Sequence, residues 1–307
     1  MADQVKIAVQ AGTALQAEMP VQAETALQAE MPVQAGTALQ VEMPVQAENR
    51  IDLKFKNLKE LGKKAFIAFI TAGDPSLAKT EEFALVLEES GVDILELGIP
   101  FSDPVAEGPV IQAASERALN AGTKIDSVFE TVKKIRAKSE MPILFMMYAN
   151  CIYVYGKERF FANCAKTGVD GVIVPDLPLE EQWEIKDLAQ SNGVHNILLA
   201  APTSDERIEK IASQANGFLY CVSSSGVTGT RSSFSTDFEK FSSEIKKHCA
   251  VPAAVGFGVS SPEQARELGK YFDGVIIGSA FVKIIEKYAD NSARYLKEFA
   301  EGIRKVL

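Results

Sequence analysis

Residues 92–112 read VDILELGIPFSDPVAEGPVIQ, and the fold is decided by how this stretch divides. Asp93 to Ile99 has the length and the Ile/Leu content of a buried strand. Strand side chains alternate, so Ile94, Glu96 and Gly98 share one face while Leu95 and Leu97 share the other. A carboxylate among leucines costs several kcal/mol to bury unpaired, which calls for a functional reason. The loop that follows carries three prolines and two more acids, Asp103 and Glu107. Acid inside a strand with acids in the next loop is the pattern of a site.

Outward from that stretch, short β-type runs alternate with amphipathic segments from Ile51 to the end. The runs lie at 65–71, 93–99, 142–148, 170–175, 195–201, 217–223, 252–258 and 273–279. Helical periodicity marks 76–90, 126–139, 157–167, 180–191, 205–214, 237–248, 262–270 and 292–307 between and after them. Alternation of this kind predicts an α/β protein with a parallel sheet. Eight runs are the number that closes a cylinder, so the fold expected is a (β/α)8 TIM barrel in one domain, 51–307. An open doubly wound sheet would place its glycine-rich turn after the first strand; here such turns follow runs six, seven and eight. Leu53, Phe55, Leu58 and Leu61 predict an extra helix ahead of the first strand.

Residues 1–50 have another texture. A 12-residue unit, AGTALQAEMPVQ, recurs through 11–48 with few changes. Each copy carries a proline that interrupts a helix and too little apolar surface to pack as a solenoid repeat. The segment is expected to be a flexible, disordered acidic tail.

Composition narrows the function. The chain of 307 residues is 47% hydrophobic and carries a net charge of −9, which disfavours a nucleic-acid binder. No apolar run reaches the roughly 20 residues of a membrane span. The first ten residues lack the basic flank and apolar core of a signal peptide. Cys151, Cys164, Cys221 and Cys249 have no CxxC spacing, and neither His195 nor His248 belongs to a zinc pattern. A cytoplasmic protein with reduced thiols and no metal is expected.

In a barrel, catalytic groups sit at the carboxyl ends of strands and phosphate sites gather on the last loops. SSSGVTGTRSS (223–233), GFGVSSPEQA (256–265) and GSAFVKII (278–285) fit that role. Glycines let backbone N–H groups approach an anion, and a helix N-terminus adds its dipole. Ser279 could add a hydroxyl. The plainer reading of these glycines is tight turns.

Taken together, FITAGDP (69–75), LELGIPFSDPVAEGPVIQ (95–112), MMYAN (146–150), GVIVPDLPLEE (171–181), SSSGVTGTR (223–231), VGFGVSSPEQ (255–264) and GVIIGSAFVKIIE (274–286) resemble the tryptophan synthase α subunit family. The likeness spans nearly all of 51–307, and the repeat has no counterpart in it. It implies a lyase that cleaves indole-3-glycerol phosphate to indole and glyceraldehyde 3-phosphate, with no metal or organic cofactor in this chain. By resemblance Glu96 is the general acid/base, its pKa raised toward neutrality inside the barrel mouth. The family commonly has Asp at the position of Glu107, where it binds the indole N–H; Glu brings the same charge on a longer arm. Asp103 is read as organising its loop.

The resemblance further places Phe69, Tyr220, Thr228 and Phe257 around the substrate, and Gly229, Gly258, Gly278 and Ser279 around its phosphate. Phe69, Tyr220 and Phe257 also read as ordinary barrel core. Thr228 belongs to a loop whose closure the family couples to the acid. Cys151, Asp176 and Pro178 map near the surface that meets a PLP-containing β subunit in an α2β2 complex, to which indole would be handed. A stand-alone indole-glycerol-phosphate lyase and a non-catalytic phosphate-binding barrel are the alternatives.

Overall fold

The computed structural model describes residues 48–202, 205–222, 237–256 and 258–307. The repeat, but for its last residue, lies outside them, so the expectation for it is neither supported nor opposed. The first half of the chain runs α1 (Arg50–Glu60), β1 (Ala65–Thr71), α2 (Leu77–Glu89), β2 (Ile94–Gly98), α3 (Pro109–Asn120), α4 (Ile125–Arg136), β3 (Ile143–Met146), α5 (Ala149–Tyr155) and α6 (Lys157–Thr167). It continues through β4 (Gly171–Ile173), α7 (Trp183–Ser191), β5 (His195–Ile197), β6 (Leu199–Ala200), α8 (Asp205–Ala212) and β7 (Leu219–Val222). Then come α9 (Phe238–His248), β8 (Ala253–Gly256), α10 (Pro262–Gly269), β9 (Gly274–Ile277), α11 (Ser279–Tyr288) and α12 (Ser292–Arg304).

The nine segments pair in parallel in the order β5-β4-β3-β2-β1-β9-β8-β7-β6. β5 and β6 stand at opposite ends of that order yet are separated in sequence only by Leu198. They are two halves of one strand, the first paired to β4 and the second to β7. Burial alternates unbroken across the join: Ile197 faces the inner cluster, Leu198 the outer, Leu199 the inner and Ala200 the outer. Eight strands therefore close on themselves, and the fold is a TIM barrel. Each of the eight predicted β runs contains a strand.

Two cores result. One fills the lumen with Ile67, Phe69, Ile94, Leu144, Ile173 and Ile276. The other lies between strands and helices and holds Phe66, Ala68, Leu95, Leu97, Phe145 and Val275. The predicted N-terminal helix is α1, and it plugs the amino end of the lumen with Ile51, Phe55 and Leu58, Phe55 lying 5.5 Å from the ring of Phe218. Burying each of those side chains contributes about 1.5–3 kcal/mol. Polar contacts fix the plug in place: Asn49 accepts the Ile51 N–H and donates to the carbonyls of Asp170 and Gly193. Buried Asp170 takes Arg50 at 2.9 Å, Arg136 at 2.6 Å and the Ile143 N–H at 2.8 Å.

Three helices escaped the periodicity reading. α3 opens with Gly108 and Pro109, a helix start that was masked by the proline-rich loop before it. α5 has only seven residues, ANCIYVY, whose aromatic and β-branched content is strand-like. α11 begins inside the glycine turn that reads as an anion loop.

Candidate active site

The register places the site. Phe69 on β1 stands opposite Glu96 on β2, which stands opposite Leu144 on β3. Phe69 and Leu144 face the lumen, so Glu96 does as well. Its side chain is fully buried, and neither carboxyl oxygen has a hydrogen-bond partner among the described residues. Burial with nothing to support the charge pushes its pKa up to about 8. At neutral pH Glu96 is a protonated acid held inside a barrel.

Glu96 opens onto a cleft at the carboxyl ends of the strands. Phe69, Met146, Tyr220 and Ile276 line it from the strands and Ile111 from α3. Gly258, Gly278 and Ser279 close it from the last two turns. Gly258 has φ +89°, a left-handed turn that favours glycine. Gly278 precedes α11 and Ser279 is its first residue, so the N-terminus of that helix borders the cleft. The cleft is narrow, with a free volume of about 30 Å³. A larger cavity of about 320 Å³ lies at the amino end, around Lys59, Lys63 and Asp273, away from Glu96.

Glu107 precedes α3 and is 7% exposed. It accepts a hydrogen bond from the hydroxyl of Tyr148, the residue after Met147 at the carboxyl end of β3. Its pKa is pushed up to about 7, first by burial, then lowered somewhat by its own N–H and raised again by Asp176. The Tyr220 phenol is held well above its ordinary value by burial and then by the charges of Glu96, Cys221 and Glu107. One ring thus feels both acids, which arise from a single strand and the loop after it.

The residues expected at a partner surface lie as follows. Asp176 accepts the Ala149 N–H at 2.9 Å, Cys151 lies half-buried on α5, and Pro178 leads into the short turn Leu179–Glu181. Burial, and then Asp176, pushes the Cys151 thiol up to about 11. Beside them an apolar groove of about 340 Å³ runs past Ile99, Phe101, Cys151 and Val154, the last 81% exposed. Thr228, Gly229 and Phe257 lie outside the described residues. Asp103 accepts from Ser102 Oγ within its loop at 2.5 Å, in keeping with an organising role. Sequence reasoning missed Ile111, Met146, Tyr148 and also Thr71, whose buried hydroxyl lacks a partner two residues beyond Phe69. Tyr148 was in view within MMYAN, but no spacing rule ties it to Glu107.

Among the described residues no three His, Cys, Asp or Glu side chains come together to hold a metal, and no helix is long and apolar enough to cross a membrane.

The protein is a TIM barrel with a cleft at the carboxyl ends of its strands. Its relatives say which kind. The family described as "Tryptophan synthase alpha chain" matches residues 55–306. The tryptophan synthase alpha chain of Thermoanaerobacter sp. (strain X514) is 47% identical over 261 residues, covering 84% of this chain and all of that one. The crystal structure of tryptophan synthase subunit alpha from Legionella pneumophila str. Paris superposes with a TM-score of 0.76 at 37% identity, covering 85% of this chain and 98% of that one. A chain from the tryptophan synthase α2β2 complex of Pyrococcus furiosus does so with a TM-score of 0.70 at 37% identity, over 78% and 97%. The chain belongs to the tryptophan synthase alpha chain family, and is an enzyme subunit of lyase type in tryptophan biosynthesis.

Proposed function

We propose that the chain cleaves indole-3-glycerol phosphate to indole and glyceraldehyde 3-phosphate, with Glu96 as the general acid/base. The observation that carries this is a protonated, unpaired carboxyl in the same cleft as an anion cradle. Gly258, Gly278, Ser279 and the α11 N-terminus hold the phosphate, joined by Gly229. The indole lies between Phe69 and Tyr220, and the family resemblance adds Phe257 and Thr228 as residues that act on the substrate.

Glu96 delivers its proton to indole C3, making a cationic indolenine. Its carboxylate then takes the proton of the glycerol hydroxyl on the adjacent carbon. As that oxygen becomes a carbonyl, the C–C bond breaks and its electron pair restores the indole. Glu96 ends protonated, as it began, so the proton account closes. Glu107, as the carboxylate, accepts the indole N–H and balances the transient positive charge.

Indole passes to a β subunit that carries PLP; this chain itself uses no cofactor. The Pyrococcus furiosus relative forms an α2β2 complex. The groove lined by Cys151 and Val154 offers the exposed apolar surface such a partner covers, with Asp176 and Pro178 as further contacts. Mixing the purified chain with indole-3-glycerol phosphate is expected to release indole without added metal or PLP; no indole, with or without a β subunit, would refute the proposal.

A further inference from the structure

Tyr148 joins two segments that the barrel brings together. Its hydroxyl donates to Oε2 of Glu107 and accepts the N–H of Ala106 at 2.9 Å. Its ring lies on Phe101, centroids 5.1 Å apart. Tyr148 is 4% exposed, yet the loop it grips is open to solvent at Ser102, Asp103 and Val105. The position of Tyr148 is itself fixed, because the next N–H, that of Ala149, is held by Asp176. Gln112 secures the Glu107 carbonyl at 2.8 Å, and Tyr148 is the side chain that holds the carboxyl. A glutamate has one more rotatable bond than an aspartate, and an aspartate here would end about 1.5 Å short of the same point.

We propose that Tyr148 is the positioning residue for Glu107: its hydroxyl, oriented by the Ala106 N–H, fixes the longer glutamate arm in the rotamer that serves the reaction. The inference rests on Glu107 acting on the ligand N–H, as assigned above. The hydrogen bond to a carboxylate is worth most when that carboxylate faces developing positive charge, so its loss is felt in kcat more than in KM.

The test is a double-mutant cycle on indole release from indole-3-glycerol phosphate, with Tyr148→Phe, Glu107→Gln and both together. Tyr148→Phe keeps the stack on Phe101 and is expected to lower kcat about 10- to 100-fold with KM within about threefold. The double variant is expected to match Glu107→Gln within about twofold, since Tyr148 has nothing left to position. Wild-type kcat in Tyr148→Phe beside an impaired Glu107→Gln overturns the inference and leaves the role of Glu107 standing. Losses that multiply in the double variant overturn it as well. Wild-type turnover in Glu107→Gln overturns the assignment of Glu107 and the inference with it.

Should Tyr148→Phe not fold, 3-fluorotyrosine at 148 keeps ring and hydroxyl while making a stronger donor. Asp176, the other charged group that bears on Glu107, stays as it is. The acid limb of the kcat profile is then expected to move to lower pH, because the carboxylate is better stabilised; an unmoved limb overturns the inference.

Discussion

The ring of Phe69 occupies the space that a Cβ on Gly98 would need, such an atom falling 2.6 Å from the ring's Cε2. The two residues belong to paired strands, and Gly98 lies two positions beyond Glu96 on the same face. Glycine is required here for close approach: it lets the aromatic wall of the cleft lean away from the acid. Gly98→Ala is expected to push the ring into a cleft that has almost no room to spare. KM for indole-3-glycerol phosphate should rise about tenfold, and stability should fall by about 1–3 kcal/mol. Steady-state kinetics with a thermal melt checks both, and an unchanged KM would show that Phe69 does not bound the ligand.

Two raised carboxyls set the pH dependence. Glu96, near 8, must keep its proton, and Glu107, near 7, must lose its own. Turnover should therefore be bell-shaped, falling as pH drops through about 7 and as it rises through about 8. A profile flat from pH 6 to 9 would contradict this assignment.

The same shift bears on stability. The folded state keeps the Glu96 proton from the unfolded value of 4.5 up to about 8, so stability is fully present below that window and lost as pH rises through it. Glu96→Gln removes the ionisation. Its melting temperature should approach the wild type's at pH 4.5 and exceed it increasingly toward pH 8, where the variant is the more stable by a free energy on the order of 4 kcal/mol. Equal melting at pH 8 would mean that the carboxyl has found a partner.

The fold was legible because burial on both faces leaves runs such as AFIAFIT and ILELG with little choice but strand, and because glycine turns cluster after the last three runs. Glu96 was legible for a related reason: a charge in such a run has no structural excuse. The break at Leu198 was not legible, because both halves keep the same alternation and only the change of pairing partner separates them. Tyr148 and Ile111 were hidden because their place depends on tertiary crossings, from β3 to the loop after β2 and from α3 to the lumen. No periodicity within either segment encodes those contacts.

The described contacts of the barrel begin at Asn49, and the load at its amino end falls on Asp170. Deleting residues 1–47 is expected to leave the cleavage rate and the melting temperature nearly unchanged. Asp170→Ala, which takes the buried carboxylate from Arg50, Arg136 and the Ile143 N–H, is expected to cost about 3–5 kcal/mol. Denaturant titration of both variants decides the matter; a large loss on deleting the repeat would make it part of the fold.

The most direct measurement is the rate of indole release from indole-3-glycerol phosphate by Glu96→Gln beside the wild-type chain, with glycerol phosphate binding followed in both. The amide keeps the shape of the acid and cannot give up a proton to indole C3. Turnover is expected to fall about 10³-fold or more while glycerol phosphate binds as before. Turnover within about tenfold of the wild type would contradict the assignment of Glu96 as the acid that breaks the bond.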